Sequence, residues 1–464
     1  MPPTRSAPHS SSPAPLRACL AWAFEETKMK LHRRKMLYTA LFGAGGLGLK
    51  SLATGIPMSI LARPLAARAQ DGAAARILIL STSSAGDPIN ANVPGTYEDP
   101  AVEHSNDPLM APTAMTIGGQ QLTAAKPWAD LPGNILQKTV FFHHGTYTNS
   151  HPNHPKVMRL MGSVERNEML VSVYSEALTP ALATVQREPI SVGARGGNEI
   201  LTFKGRSLAN VSPIALKTAL AQEDNALGDL RPLRDQAVDE MYALYQQHGT
   251  ENQRRMLDRF VVTRDEARSL SLDLVGRLVT IDGNNEADQV LAASVLAAMN
   301  VSPVITLRID FGGDNHNDRE FVRETQETVE GVGHLQTLVE TVDGMRAEGA
   351  LRNDVIVGTL NVFGRDLARK GRAGRDHNGR HHCAVLIGDG LRGGVIGGIE
   401  PTGRDYQAQA IDSATGSASA SGDIPHEETF ESMAKTLGVA LGVPRARLDE
   451  AVTGGQVIES ALAG

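Results

Sequence analysis

Short apolar runs recur along the chain, and several of them end in an acidic residue or a histidine. Arg76 to Ser81, Lys138 to Phe142, Val304 to Ile309, Asp354 to Leu360 and Cys383 to Ile387 are rich in β-branched, aliphatic or aromatic residues and predict buried strands. Ile190 to Gly193 and Glu199 to Phe203 predict two weaker ones. Between them lie segments of helical period. Ala287 to Met299 is one. A longer stripe follows at Phe321, Thr325, Val329, Val332, Leu335, Leu338, Val342 and Met345. A third precedes the end of the chain at Glu427 to Leu437, and Pro155 to Met161, entered through Asn149-Ser150-His151, reads as a fourth. From Leu227 to about Ile281 the period is again helical, with Val238, Met241, Leu244 and Tyr245 on one face, which reads as a helical insertion over about 212–300. Strands alternating with helices predict an α/β fold with a mostly parallel central sheet and helices on both faces. Asn90 to Gly133 is polar and weakly periodic, so it is expected to wrap the surface. Asp412 to Gly422 reads as a flexible connection.

The chemistry gathers where the predicted strands stop. Asp87 follows the first run, and His143-His144-Gly145 ends the second, leading to Ser150-His151. Asp314 and His316 follow the strand at 304–309. Phe363-Gly364-Arg365 and Gly374-Arg375-Asp376-His377 follow the strand at 354–360, and His426 stands ahead of the last helix. Carboxylates and imidazoles at the carboxyl edge of an open sheet occupy the place where such folds hold ligands. Asp87, Asp314, His316, Asp376, His377 and His426 supply about the oxygen and nitrogen donors that one or two divalent ions need. His381 and His382 could extend that set, and His143 and His144 could line a pocket beside it. Ser150 admits two readings, a helix N-cap or a nucleophile beside the positive end of a helix.

Charge divides the chain unevenly. The formal net charge is -7, yet residues 1–69 hold ten Lys/Arg against two Asp/Glu, leaving an acidic balance of -15 in the rest. An acidic body argues against a nucleic-acid partner. Arg33-Arg34-Lys35 precedes a weakly apolar, glycine-rich stretch, and Ala67-Arg68-Ala69 offers a small-x-small cleavage site. The segment 1–69 therefore reads as an N-terminal extension and twin-arginine signal with cleavage after Ala69, directing a folded protein to the periplasm or outside. A Sec signal is the competing reading. Lys50 and several glycines interrupt the apolar run, so no stable membrane span is expected after cleavage. Residues 70–464 read as one domain. Cys383 is the single cysteine beyond residue 69, so no internal disulfide is expected there.

The order of these motifs carries a family likeness. Ser-Ala-Gly-Asp87-Pro-Ile-Asn90, His144-Gly145 with Ser150-His151, Gly313-Asp314-x-His316, Phe363-Gly364-Arg365 and Gly374-Arg375-Asp376-His377 together resemble the bacterial domain of unknown function numbered 1501. The likeness covers about Arg76 to Val443. That family is typically exported by the twin-arginine machinery and is similar to the alkaline phosphatase and sulfatase superfamily. The resemblance implies an alkaline-phosphatase-like three-layer sandwich. By position it implies one ion on Asp87, Asp376 and His377, and another on Asp314, His316 and His426. It implies Ser150 as nucleophile, and Arg365 or Arg375 as the group that grips a phosphoryl or sulfuryl oxygen. Asn361-Val362 and Asn378 depart from the family's usual residues.

The resulting expectation is an exported metal-dependent hydrolase of phosphate or sulfate esters. Its ion would be Zn, Ca, Mg or Mn, and its substrate a small-molecule or glycan-linked ester. The alternative is a non-catalytic envelope binding protein that retains the fold with an incomplete metal site. A phosphotransferase or carbohydrate-modifying role in a surface-polymer pathway is a third reading.

Overall fold

The computed structural model describes residues 74–193, 199–208, 210–221, 273–368, 373–403 and 405–463. The segment 1–69, expected to be an export signal, and the helices expected within 222–272 lie outside the described residues.

An eight-stranded sheet organises the described chain. Its strands, in chain order, are β1 (Ile77–Ser83), β2 (Thr139–His144), β3 (Ile190–Val192), β4 (Asn210–Val211), β5 (Val304–Leu307), β6 (Val355–Asn361), β7 (His382–Ile387) and β8 (Gly394–Ile396). Their spatial order is β8-β2-β7-β6-β1-β5-β3-β4. β1 is central, parallel to β6 on one side and to β5 on the other. β7 runs antiparallel to both of its neighbours, β6 and β2, and the remaining pairs are parallel. The fold is thus mixed α/β with a large, mostly parallel sheet.

All seven residues of β1 are buried, so both faces of the sheet are covered. Two helix pairs do this. α1 (Leu170–Leu182) meets α5 (Thr429–Ala440), where the Tyr174 hydroxyl donates to the Ala434 carbonyl at 2.5 Å. α3 (Glu286–Ala298) packs on α4 (Val322–Ala347), and both contact the sheet. Asn285 caps α3 by accepting from the Asp288 N–H at 2.9 Å. A shorter helix, α2 (Pro213–Ala221), also packs on α3.

The strands expected at 76–81, 138–142, 190–193, 304–309, 354–360 and 383–387 are all present within a residue or two. Four segments differ. Glu199 to Phe203 yields only the two-residue strand Thr202–Phe203, paired with Arg206–Ser207 in a separate ribbon. Pro155 to Met161 yields a 3-10 turn and the one-turn helix His154–Val157, because prolines at 152 and 155 confine helical bonding to short pieces. Gly388 to Gly398, a glycine-dense segment that reads as a turn, contains β8. The polar segment 90–133 is not a surface wrap. It holds the ribbon Pro112–Ile117 with Gln120–Ala125 and buries Trp128 completely, stacked on Phe311 at 5.9 Å and edge-on to Phe141. Burying one such side chain is worth a few kcal/mol, roughly 1.5–3, and here it props the loop that carries Asp314.

A candidate metal centre at the carboxyl edge of the sheet

Four loops meet beyond the carboxyl ends of β1, β2, β5 and β6. The loop after β5 is held at three points. Asp87, past β1, accepts through Oδ1 from the N–H of Gly313 at 2.8 Å and of Phe311 at 3.2 Å. Thr328 of α4 donates to the Phe311 carbonyl at 3.3 Å. Gly331 lets α4 approach so closely that a Cβ there would stand 2.3 Å from the Asp310 carbonyl oxygen. The loop after β6 then locks onto this one. Gly374 donates to the His316 carbonyl at 2.8 Å, and a Cβ at Gly374 would fall 1.8 Å from the Asn315 carbonyl oxygen. Only glycine fits there.

These constraints bring His151, Asp314, His316 and His377 together, with one donor atom from each lying within 4.8 Å of all the others. The three imidazoles share one arrangement. Nδ1 of His151 stands 2.7 Å from the Ser84 carbonyl oxygen, Nδ1 of His377 stands 2.6 Å from that of Asn149, and Nδ1 of His316 stands 3.1 Å from Asp376 Oδ1. Each partner accepts, Asp376 in its ionised form, so each Nδ1 carries a proton, and each ring in its neutral form presents a lone pair at Nε2. The Nε2 atoms of His316 and His377 face each other at 2.7 Å. Asp314 closes the group, with Oδ1 3.3 Å from His316 Nε2 and Oδ2 3.6 Å from His151 Nε2.

Two lone pairs that close repel unless a proton or a metal ion lies between them. The donor set therefore fits a metal ion, and these four residues could hold one. Three imidazoles and one carboxylate suit a first-row transition ion such as Zn better than Ca or Mg, which favour all-oxygen sets. Burial, helped by Arg365 and the neighbouring imidazoles, pushes His377 down to about 4, so it is neutral near pH 7 as a ligand must be. Burial opposes ionisation of Asp314, but Arg365 and His316 hold its carboxyl below the usual carboxylate range. Phe363 forms the apolar wall, 4.3 Å from the His377 ring and 5.0 Å from that of His151.

Other residues singled out from the sequence surround this group. Asp376 orients His316. Asp87 is wholly buried behind the loop it fastens, and burial together with Asp310 raises it to about 6. Arg365 is fully buried. Its side chain donates to the carbonyls of Gly86 at 2.5 Å and Ala85 at 2.7 Å and to Asp314 Oδ1 at 3.0 Å. Asn90 clamps its backbone, donating to Arg365 O and accepting from Arg365 N. Arg375 is equally buried, paired with Glu324 at 2.9 Å and bonded to the carbonyls of Glu103, Asp366 and Leu367. Neither guanidinium faces an open site. Ser150 lies between Asn149 and His151, at the rim of the group, with an extended backbone and no capping bond from its side chain.

His426 belongs to a different cluster. It lies beside Tyr147, whose hydroxyl donates to its carbonyl, and near the buried imidazoles of His143, His144, His381 and His382. There His143 Nε2 donates to the Pro94 carbonyl, His381 donates to His143 Nδ1 at 2.9 Å, and Asn90 donates to His381 Nδ1. These rings hold the fold and do not extend the metal group.

Residues 208–416 match the family described as a protein of unknown function (DUF1501). The match supports membership of the DUF1501 family. No curated protein matches the chain. The DUF1501 span carries Asp314, His316, Asp376 and His377, whereas His151 comes from the segment before it. His151 is the candidate ligand missed from sequence. Its signal was its position in the loop past a predicted strand, directly after the serine that drew attention instead.

Proposed function

We propose that this protein is an exported metal-dependent hydrolase of phosphate or sulfate esters, with an alkaline-phosphatase-like sandwich and one ion on His151, Asp314, His316 and His377. The observation that carries the reading is the shared orientation of three imidazoles, each with Nδ1–H committed to an oxygen and Nε2 turned towards Asp314. Such outer bonding fixes tautomer and ring angle and is the usual support of catalytic metal ligands. A bound divalent ion would polarise the ester oxygen and lower the pKa of a coordinated water. Around it the chain supplies the rest. Asp376 keeps the His316 proton on Nδ1, Arg365 holds Asp314 ionised, and Phe363 excludes water from one side. Ser150 is the nearest hydroxyl in sequence to a ligand and is the proposed nucleophile. Export by the twin-arginine route, as Arg33-Arg34 suggests, lets the centre form before translocation.

One observation favours the alternative, a binding protein without turnover. Arg365 and Arg375 both direct their guanidinium groups at protein oxygens, so neither is free to grip the substrate's anion. Metal analysis of the purified protein, followed by a panel of chromogenic phosphate and sulfate monoesters and diesters, separates the readings. Stoichiometric metal with chelator-sensitive hydrolysis is the expected result. Metal without hydrolysis of any ester, or no metal after reconstitution with Zn or Mn, would hand the case to the binding protein.

A further inference from the structure

A cleft of about 650 Å³ opens beside the turn past β8, between the loop at 95–100, the ribbon at 120–122 and the segment 409–418. It lies on the same carboxyl edge of the sheet as the metal group but at its outer end. β8 stands four strands from β1, a separation of roughly 19 Å at the usual strand spacing. A bonded path joins the two places. Asn378, next to His377, donates to the Asp405 carboxylate at 2.6 Å and to the Tyr406 carbonyl at 2.8 Å. From there the chain runs on to Gln409, whose N–H donates to the Gly398 carbonyl in the cleft.

The lining selects a chemical class. None of its thirteen residues is Lys, Arg or His, and two are acidic, so a phosphate, sulfate or carboxylate would be repelled. Asp99 is occupied, accepting from the Ala101 N–H at 2.9 Å. The side chains of Glu98, Gln120 and Gln409 have no hydrogen-bond partner among the described residues and line the open space. Two amides that both donate and accept, and one carboxylate that accepts, match a ligand dense in hydroxyls. Leu122, Val395 and Ile399 give an aliphatic floor for the C–H face of such a ring.

We propose that this cleft is a subsite for an uncharged carbohydrate, holding the part of an extended glycan remote from the ester. Its place in a substrate rests on the hydrolase reading; carbohydrate binding itself does not. The test titrates purified wild-type protein, treated with chelator, with neutral gluco-, manno- and galacto-oligosaccharides of six units, and with spermidine as a cationic control. At least one oligosaccharide should bind saturably. Gln120→Ala with Gln409→Ala should weaken it tenfold or more while leaving the melting temperature, and hydrolysis of a small chromogenic ester, unchanged. Unaltered affinity in that variant, or binding of spermidine and of no sugar, would overturn the proposal. Failure of the hydrolase reading would appear separately, as absent metal or absent ester cleavage.

Discussion

Asp376 Oδ1 stands 3.1 Å from Nδ1 of His316, while the opposite nitrogen of that ring faces Asp314 at 3.3 Å. A carboxylate behind a histidine raises its basicity and fixes its angle, and loss of such a partner costs about 10–100-fold in metal affinity. Asp376→Asn should therefore weaken Zn binding by about that factor in competition titrations, with the melting temperature of the chelated protein unchanged. Equal affinity in variant and wild type would remove Asp376 from the support of the centre.

The sheet was legible because its strands are short apolar runs buried on both faces, and β1, β5 and β6 needed no tertiary information. The Asp314, His316, Asp376 and His377 part of the group was legible because each residue follows such a run closely. Sequence does not say which way a side chain turns, however. Asp87 and Arg375 carry the right chemistry at the right edge, yet one grips backbone N–H groups and the other pairs with Glu324. Buried Trp128 escaped notice because the segment around it is polar on average, and average polarity conceals a single large anchor.

Arg375 should behave as a structural residue. It and Glu324 are both fully buried, and Glu324 also accepts from Asn92 at 3.0 Å and Asn315 at 2.8 Å. The guanidinium lies 4.3 Å over the Phe321 ring. Arg375→Met would leave Glu324 as an unpaired charge, which typically costs about 3–5 kcal/mol. Urea unfolding should show the midpoint falling accordingly. Wild-type stability combined with lost ester turnover would instead return Arg375 to the substrate.

Acid should destabilise the fold before the ordinary carboxylate range is reached. Burial holds His143 and His144 at about 4, against an ordinary 6.5, and pushes His381 and His382 well below that value. Between those limits the unfolded chain binds protons that the folded chain refuses, so stability present above about 6.5 is lost as pH falls. Three carboxyls act in the opposite sense. Burial raises Asp87 to about 6, Glu286 to about 7 and Glu431 above its ordinary value, so their contribution to stability grows as pH falls from 7. Burial also lowers His104 to about 4 and lowers His334 and His426, so seven imidazoles outside the metal group against three carboxyls leave a net loss. Denaturation midpoints of chelated protein should be lower at pH 5 than at pH 7.5, and equal midpoints would mean the imidazoles are hydrated.

Ser150 is where stability and chemistry separate most cleanly. The hydroxyl that organises its turn belongs to Thr148, whose Oγ1 accepts from the Ser150 N–H at 3.3 Å and from Asn153 Nδ2 at 2.8 Å. Ser150 has no capping bond of its own, so the stability that a cap supplies is not at stake in Ser150→Ala. That variant should unfold within about 0.5 kcal/mol of wild type, whereas Thr148→Val should be measurably weaker. If Ser150 attacks the ester, its loss should lower kcat by several orders of magnitude with metal still bound at full stoichiometry. Turnover within a few-fold of wild type would transfer the attack to a metal-bound hydroxide. Thr148 is the poorer substitute, since it is nearly buried and its oxygen already accepts two hydrogen bonds.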